Sequence, residues 1–94
     1  MIKVMVVEDQ VMLREALITL INDQWDMEAV AGIGSAGDAL EVCETLRPDL
    51  VLMDVLTEPA ILPGAEPLPT GITATTLIRK KFPKVKVVII TSLP

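Results

Sequence analysis

Four short aliphatic runs, separated by segments with helical spacing, leave this chain few folds to choose from. The first, within Lys3 to Val7, is continuous rather than alternating, as expected of a strand buried on both faces. A helix is expected from Val11 to Asp23, with Leu13, Leu17, Leu20 and Ile21 as its buried stripe. Met27 to Gly32 reads as a second strand, punctuated by Gly32 and Gly34. Ser35 is placed to cap a second helix, with Asp38 three residues on in a capping-box-like position. That helix runs to Leu46 on a stripe of Ala36, Ala39, Leu40, Cys43 and Leu46. Pro48 stops it for want of a backbone N–H. The third strand is Leu50 to Met53. A third helix starts near Ile72, with Ala74, Leu77 and Ile78 on one face, and Pro83 closes it. The fourth strand is Val85 to Ile90.

Strands alternating with helices imply right-handed crossovers and a parallel sheet covered on both faces. With one Trp, one Phe and no Tyr in a chain 51% apolar, the core of this single small domain must be aliphatic. Open α/β sheets bind ligands beyond the carboxyl ends of their strands. Glu8-Asp9 follows the first run, Asp54 ends the third, and Thr91-Ser92 follows the fourth. Asp54 is flanked by Met53 and by Val55-Leu56, where an ionisable group costs free energy unless something satisfies it. Alone, Glu8-Asp9 would equally suit a helix start, which the helix dipole favours for acidic residues. Thr91 alone would be an ordinary strand terminus. Their convergence on one edge of one sheet makes Asp54 a candidate covalent phosphate acceptor.

The remaining totals exclude more than they assign. A net charge of −5 disfavours the polyphosphate of nucleic acid and suits a divalent cation or a basic partner. The basic run Arg79-Lys80-Lys81 is read as a solvated helix C-terminus, and Arg14 as a solvated helix residue. Cys43, the only cysteine, is a small core residue and permits no internal disulfide. Without histidine, no His-ligated metal or His-based catalysis is available. No signal peptide is recognisable, and no apolar run approaches the roughly 20 residues of a transmembrane helix. A soluble cytoplasmic protein, off the membrane, is expected.

The stretches Val6-Val7-Glu8-Asp9-Gln10 with Arg14, Arg47-Pro48-Asp49-Leu50-Val51-Leu52-Met53-Asp54-Val55, and Val88-Ile89-Ile90-Thr91-Ser92 resemble the receiver domain of bacterial two-component response regulators. The style is closest to the NarL/LuxR class of transcriptional regulators. The resemblance implies a CheY-like, flavodoxin-like, doubly wound parallel sheet of strand order 2-1-3-4-5. It implies that Asp54 takes a phosphoryl group from a phosphohistidine on a sensor histidine kinase, which is signalling rather than enzymatic turnover. Mg²⁺ would be held by Asp9, Asp54 and the backbone carbonyl of Leu56, with Glu8 acting directly or through water. Thr91 would offer its hydroxyl to a phosphoryl oxygen and report phosphorylation by moving inward. The chemistry is consistent: a carboxylate is a competent nucleophile, and phosphoryl transfer depends on positioning and charge neutralisation. Two carboxylates about 4 Å apart repel by roughly 4 kcal/mol at an effective dielectric near 20, which a divalent cation relieves.

Two departures stand out. The segment from Leu56 to Thr70 holds Pro59, Pro63, Pro67 and Pro69 and is too proline-rich for a helix. Thr57-Glu58-Pro59 replaces the usual Met-Pro step, Gly71 arrives late, and Glu58 could approach the metal or repel phosphate. Secondly, residues 1–94 are expected to be only the N-terminal part of a receiver, lacking the fifth strand, the last helices and the phosphate-pairing lysine of the family. DNA would be reached only through a C-terminal domain not present here. The first helix would then lack a neighbour, and the fourth strand, with Val85, Val87, Val88, Ile89 and Ile90, would be an exposed edge through which the chain self-associates. Two other functions compete with this reading. A haloacid-dehalogenase-type phosphatase needs a second Asp two residues after the first, where this chain has Leu56. A receiver-like module that interacts without phosphorylation would be marked by loss of the acidic residues, and all three are present, but the altered loop and the missing lysine keep that reading open.

Overall fold

A computed structural model describes residues 1–55 and 70–90. Its elements are β1 (Ile2–Val7), α1 (Val11–Asn22), β2 (Met27–Ile33), a 3-10 turn (Ala36–Asp38), α2 (Ala39–Leu46), β3 (Leu50–Asp54), α3 (Thr70–Lys81) and β4 (Lys86–Ile90). The strands form one sheet in the order β2-β1-β3-β4, with every pairing parallel. This is the expected doubly wound α/β arrangement, with β1 and β3 side by side at its centre. The proline-rich segment from Leu56 onwards and the residues from Thr91 to Pro94 lie outside the described residues.

The sheet sorts β1 by alternation, because successive side chains of a strand point to opposite faces. Val4 and Val6 face α1 and pack with Leu17, Ile18, Ile21, Met27, Ala29, Leu50 and Leu52. Met5 and Val7 face α2 and α3 and join Ala39, Cys43, Val51, Met53, Ala74, Ile78 and Phe82. Val4 through Val7 are all fully buried, which is why that run shows no polar alternation.

Several boundary and stripe expectations are corrected. Leu20, Leu46 and Leu77 are 62%, 39% and 46% exposed. Helical spacing allows two adjacent stripes on α1, and the sheet takes the one through Leu17, Ile18 and Ile21, leaving Leu20 to the side. Leu46 is the last residue of α2, where the chain turns away at Arg47. Leu77 precedes the buried Ile78 and faces outward by a quarter turn. Ser35 Oγ accepts from Gly37 N (3.2 Å) rather than forming a box with Asp38, so a 3-10 turn precedes α2. Arg47 ends α2 in a left-handed conformation (φ 49°) with its N–H on Cys43 O, one residue before Pro48. α3 starts at Thr70, two residues earlier than expected, and β4 starts at Lys86 rather than Val85. Among the described residues no helix is long and apolar enough to cross a membrane.

Candidate functional site

Parallel pairing of β1 with β3 puts Val7 opposite Met53, so Glu8 and Asp54 emerge side by side from neighbouring strands. Both are almost wholly buried, at 1% and 2% exposure, while Asp9 is half-buried at the rim. One carboxylate oxygen from each of Glu8, Asp9 and Asp54 lies within 4.8 Å of the others. Hydrophobic strands thus deliver three carboxyl groups to one point, as the strand-end pattern required.

The turn after β1 is held from several directions. Glu8 N donates to Ile33 O of β2 (2.9 Å), and Gln10 N donates to the Glu8 carboxylate (3.1 Å). Arg14 Nη1 donates to the Glu8 backbone carbonyl (2.8 Å). Arg14 is therefore not the solvated helix residue expected from sequence. It is half-buried and ties α1 to the acidic turn. Gly34 makes the room: a Cβ there would lie 3.0 Å from Arg14 Nη1. Gly71, at the start of α3, packs directly on the other strand end, where a Cβ would meet Asp54 O at 2.5 Å and Val55 Cα at 2.9 Å. Sequence marked Gly34 as punctuation and Gly71 as a late glycine before a helix, but their contacts depend on elements distant in the chain.

Burial, above all, raises the Glu8 carboxyl to about 7. The Gln10 N–H bond opposes this, and the neighbouring Asp9 and Asp54 carboxyls add to it. Three hard oxygen donors with crowded negative charge fit a small divalent cation, which accepts carboxylate and water ligands together. Leu56 and Thr91, the expected carbonyl ligand and phosphate-sensing hydroxyl, and Glu58 lie outside the described residues. Ile90, just before Thr91, is the register partner of Asp54.

Residues 4–93 match the response regulator receiver domain family. Response regulator protein VraR of Staphylococcus epidermidis is 37% identical over 91 residues, covering 97% of this chain and 39% of that protein. This chain thus spans about two fifths of the length of such curated relatives. Among solved structures, a LuxR-family two-component response regulator from an Aurantimonas species superposes with TM-score 0.78 at 32% identity, over 98% of this chain and 59% of its own. The response regulator domain of Thermotoga maritima CheB gives 0.77 at 34% identity, over 98% and 61%. A LuxR-family DNA-binding response regulator from Staphylococcus aureus gives 0.78 at 31% identity, over 99% and 70%.

Proposed function

The chain belongs to the response regulator receiver domain family, and on that premise we propose that it accepts a phosphoryl group on Asp54 from the phosphohistidine of a sensor kinase. The observation that carries this reading is the buried meeting of Glu8, Asp9 and Asp54 at the carboxyl ends of β1 and β3. A carboxylate oxygen of Asp54 attacks phosphorus, and the P–N bond to the kinase histidine breaks. The electron pair leaves with the imidazole nitrogen, which takes up a proton, and an acyl phosphate remains on Asp54.

Asp9 and Asp54, with the Leu56 carbonyl, would hold Mg²⁺, and Glu8 would contribute directly or through water. When bound, Mg²⁺ supplies positive charge that offsets the carboxylates and the incoming phosphoryl oxygens. Arg14 fixes the Glu8 peptide from behind, so the two acidic side chains of the turn are held in place without a cation spent on them directly. The low exposure of Glu8 and Asp54 limits access of water to the reacting carboxylate. Thr91 would hydrogen-bond a phosphoryl oxygen and shift toward it.

In a longer protein, phosphorylation would control transcription through a C-terminal DNA-binding domain, in the cytoplasm where the kinase presents its phosphohistidine. Residues 1–94 would be the N-terminal part of the receiver. The test is incubation with Mg²⁺ and acetyl phosphate followed by intact-mass measurement. A single phosphoryl gain, absent without Mg²⁺ and absent in Asp54→Ala, is expected. No gain in the wild-type chain or in a longer form carrying it would favour an interaction module that works without phosphate.

A further inference from the structure

We propose that the groove between the segments entering β3 and β4 docks an acidic segment of another protein, with one apolar side chain seated on Phe82 and flanking carboxylates meeting Arg47, Lys81 and Lys84. The inference stands on geometry and charge and is independent of the phosphoacceptor reading above, whose carboxylates lie at the opposite end of the sheet.

Positive charge is concentrated here. Five of the chain's eight lysines and arginines fall between Arg79 and Lys86, a stretch with no acidic residue, in a chain of net charge −5. The helix dipole accounts for Arg79, Lys80 and Lys81 in the last turn of α3, but not for Lys84 beyond it. The groove, about 360 Å³, is lined on one side by Arg47, Pro48 and Asp49 and on the other by the segment from Lys81 to Val85. These two segments lead into strands that pair with each other, Leu50 opposite Lys86. The groove therefore lies on the β3 side of β4 and does not involve the other edge of that strand. Buried Pro48 and Phe82 give it an apolar floor, and Arg47, Lys81 and Lys84 are exposed beside them.

The cations are arranged for an anion that arrives with an apolar group. Arg47 is the one non-glycine residue with positive φ (49°) among the described residues, at a helix end where glycine is the usual choice. A side chain in that conformation costs free energy that glycine would not. Here it places a guanidinium over the Phe82 ring, 5.0 Å from the centroid, and Lys81 Nζ lies 5.7 Å from the same centroid. Arg47 Nε donates to Glu44 O (3.1 Å), which orients the guanidinium fork. Lys81 pairs with Glu44 Oε2 at 3.4 Å, and both side chains are more than half exposed, so an incoming carboxylate can displace Glu44 easily. Lys84 has no ion-pair partner among the described residues. Asp49, the acid that lines the groove, accepts from Lys3 N (2.8 Å) and pairs with none of these cations. A buried aromatic ring with an arginine beside it is the composition of an interface anchor. Open and small, the groove takes a side chain or two of a longer segment rather than enclosing a free ligand. Nucleic acid, the other common polyanion, is disfavoured by the net charge of −5.

The test is fluorescence anisotropy with a short fluorescein-labelled peptide in which glutamates flank a central phenylalanine. Saturable binding is expected, and its loss when the glutamates are replaced by glutamine. Combining Lys81→Ala with Lys84→Ala should weaken binding roughly tenfold, the scale of two lost exposed ion pairs. Glu44→Gln should tighten it about threefold, because the internal competitor for Lys81 is gone. Arg79→Ala combined with Lys80→Ala removes the same charge from exposed positions outside the groove and should leave affinity within about twofold. All five positions are exposed, so the fold is retained in each variant. Absence of saturable binding overturns the proposal. So does an equal loss in the two paired variants, which would reduce the attraction to net charge alone. Binding to phosphatidylserine vesicles in place of the peptide would assign the patch to a membrane surface. Self-association abolished by the Lys81 and Lys84 substitutions would assign it to a second copy. Either result overturns docking of an acidic partner.

Discussion

Glu8 is a carboxyl group held away from water and beside two others, and its protonation follows from that position. Its folded value of about 7 lies above the ordinary 4.5, so the folded state binds the proton more tightly than the unfolded chain. Without divalent cations, the stability it contributes is present in full below pH 4.5 and is lost as pH rises through about 7. The slope is expected to reach at most about 1.4 kcal/mol per pH unit, the limit for one proton. Urea unfolding across this range should show the decline in the wild-type chain and a flatter profile in Glu8→Gln. Mg²⁺ should raise stability most at the alkaline end, because it binds only the folded, ionised cluster. Arg14→Ala leaves the Glu8 carbonyl without its guanidinium donor, and weaker Mg²⁺ binding by titration calorimetry is expected, at little cost in helix content by circular dichroism. The acidic residues were legible in the sequence because each ends an apolar run. Arg14 was not, because its partner is a backbone carbonyl, which leaves no mark in residue type.

At the scale of elements, the strands were easier to read than the helix faces. Val4 to Val7 has no polar alternation because both of its faces are covered, and that is visible in composition alone. On α1 the spacing left a choice between neighbouring stripes, and only the position of the sheet decides it. Ile21→Ala is accordingly expected to cost about 2–5 kcal/mol, whereas Leu20→Ala should stay within about 0.5 kcal/mol, both read from chemical denaturation. Gly71→Ala makes a different point. The added Cβ would strike Asp54 O and Val55 Cα, and backbone does not move aside as a flexible side chain does. A loss of about 1–3 kcal/mol is expected, together with slower phosphorylation, because the displaced atoms belong to the acceptor strand itself. Sequence placed Gly71 only as a late glycine before a helix. Its contact crosses the segment from 56 to 69, which local patterning cannot span.

At the scale of the whole molecule, the strand order β2-β1-β3-β4 is what brings distant carboxylates together; the βαβ pattern anticipated a parallel sheet, and the family resemblance supplied its order. The distribution of helices was less accessible: among the described residues α1 covers one face alone, while α2 and α3 share the other. With a net charge of −5, this chain should show no mobility shift with duplex DNA at physiological salt, so any DNA binding would have to come from a further domain. The central claim, that Asp54 is the phosphate acceptor, is tested most directly by chemical trapping. After incubation with acetyl phosphate and Mg²⁺, borohydride reduction converts an aspartyl phosphate to homoserine, and peptide sequencing by mass spectrometry locates it. The account predicts homoserine at position 54 and nowhere else; homoserine at position 9, the corresponding five-carbon alcohol 5-hydroxynorvaline at Glu8, or no reduced residue at all, would contradict it.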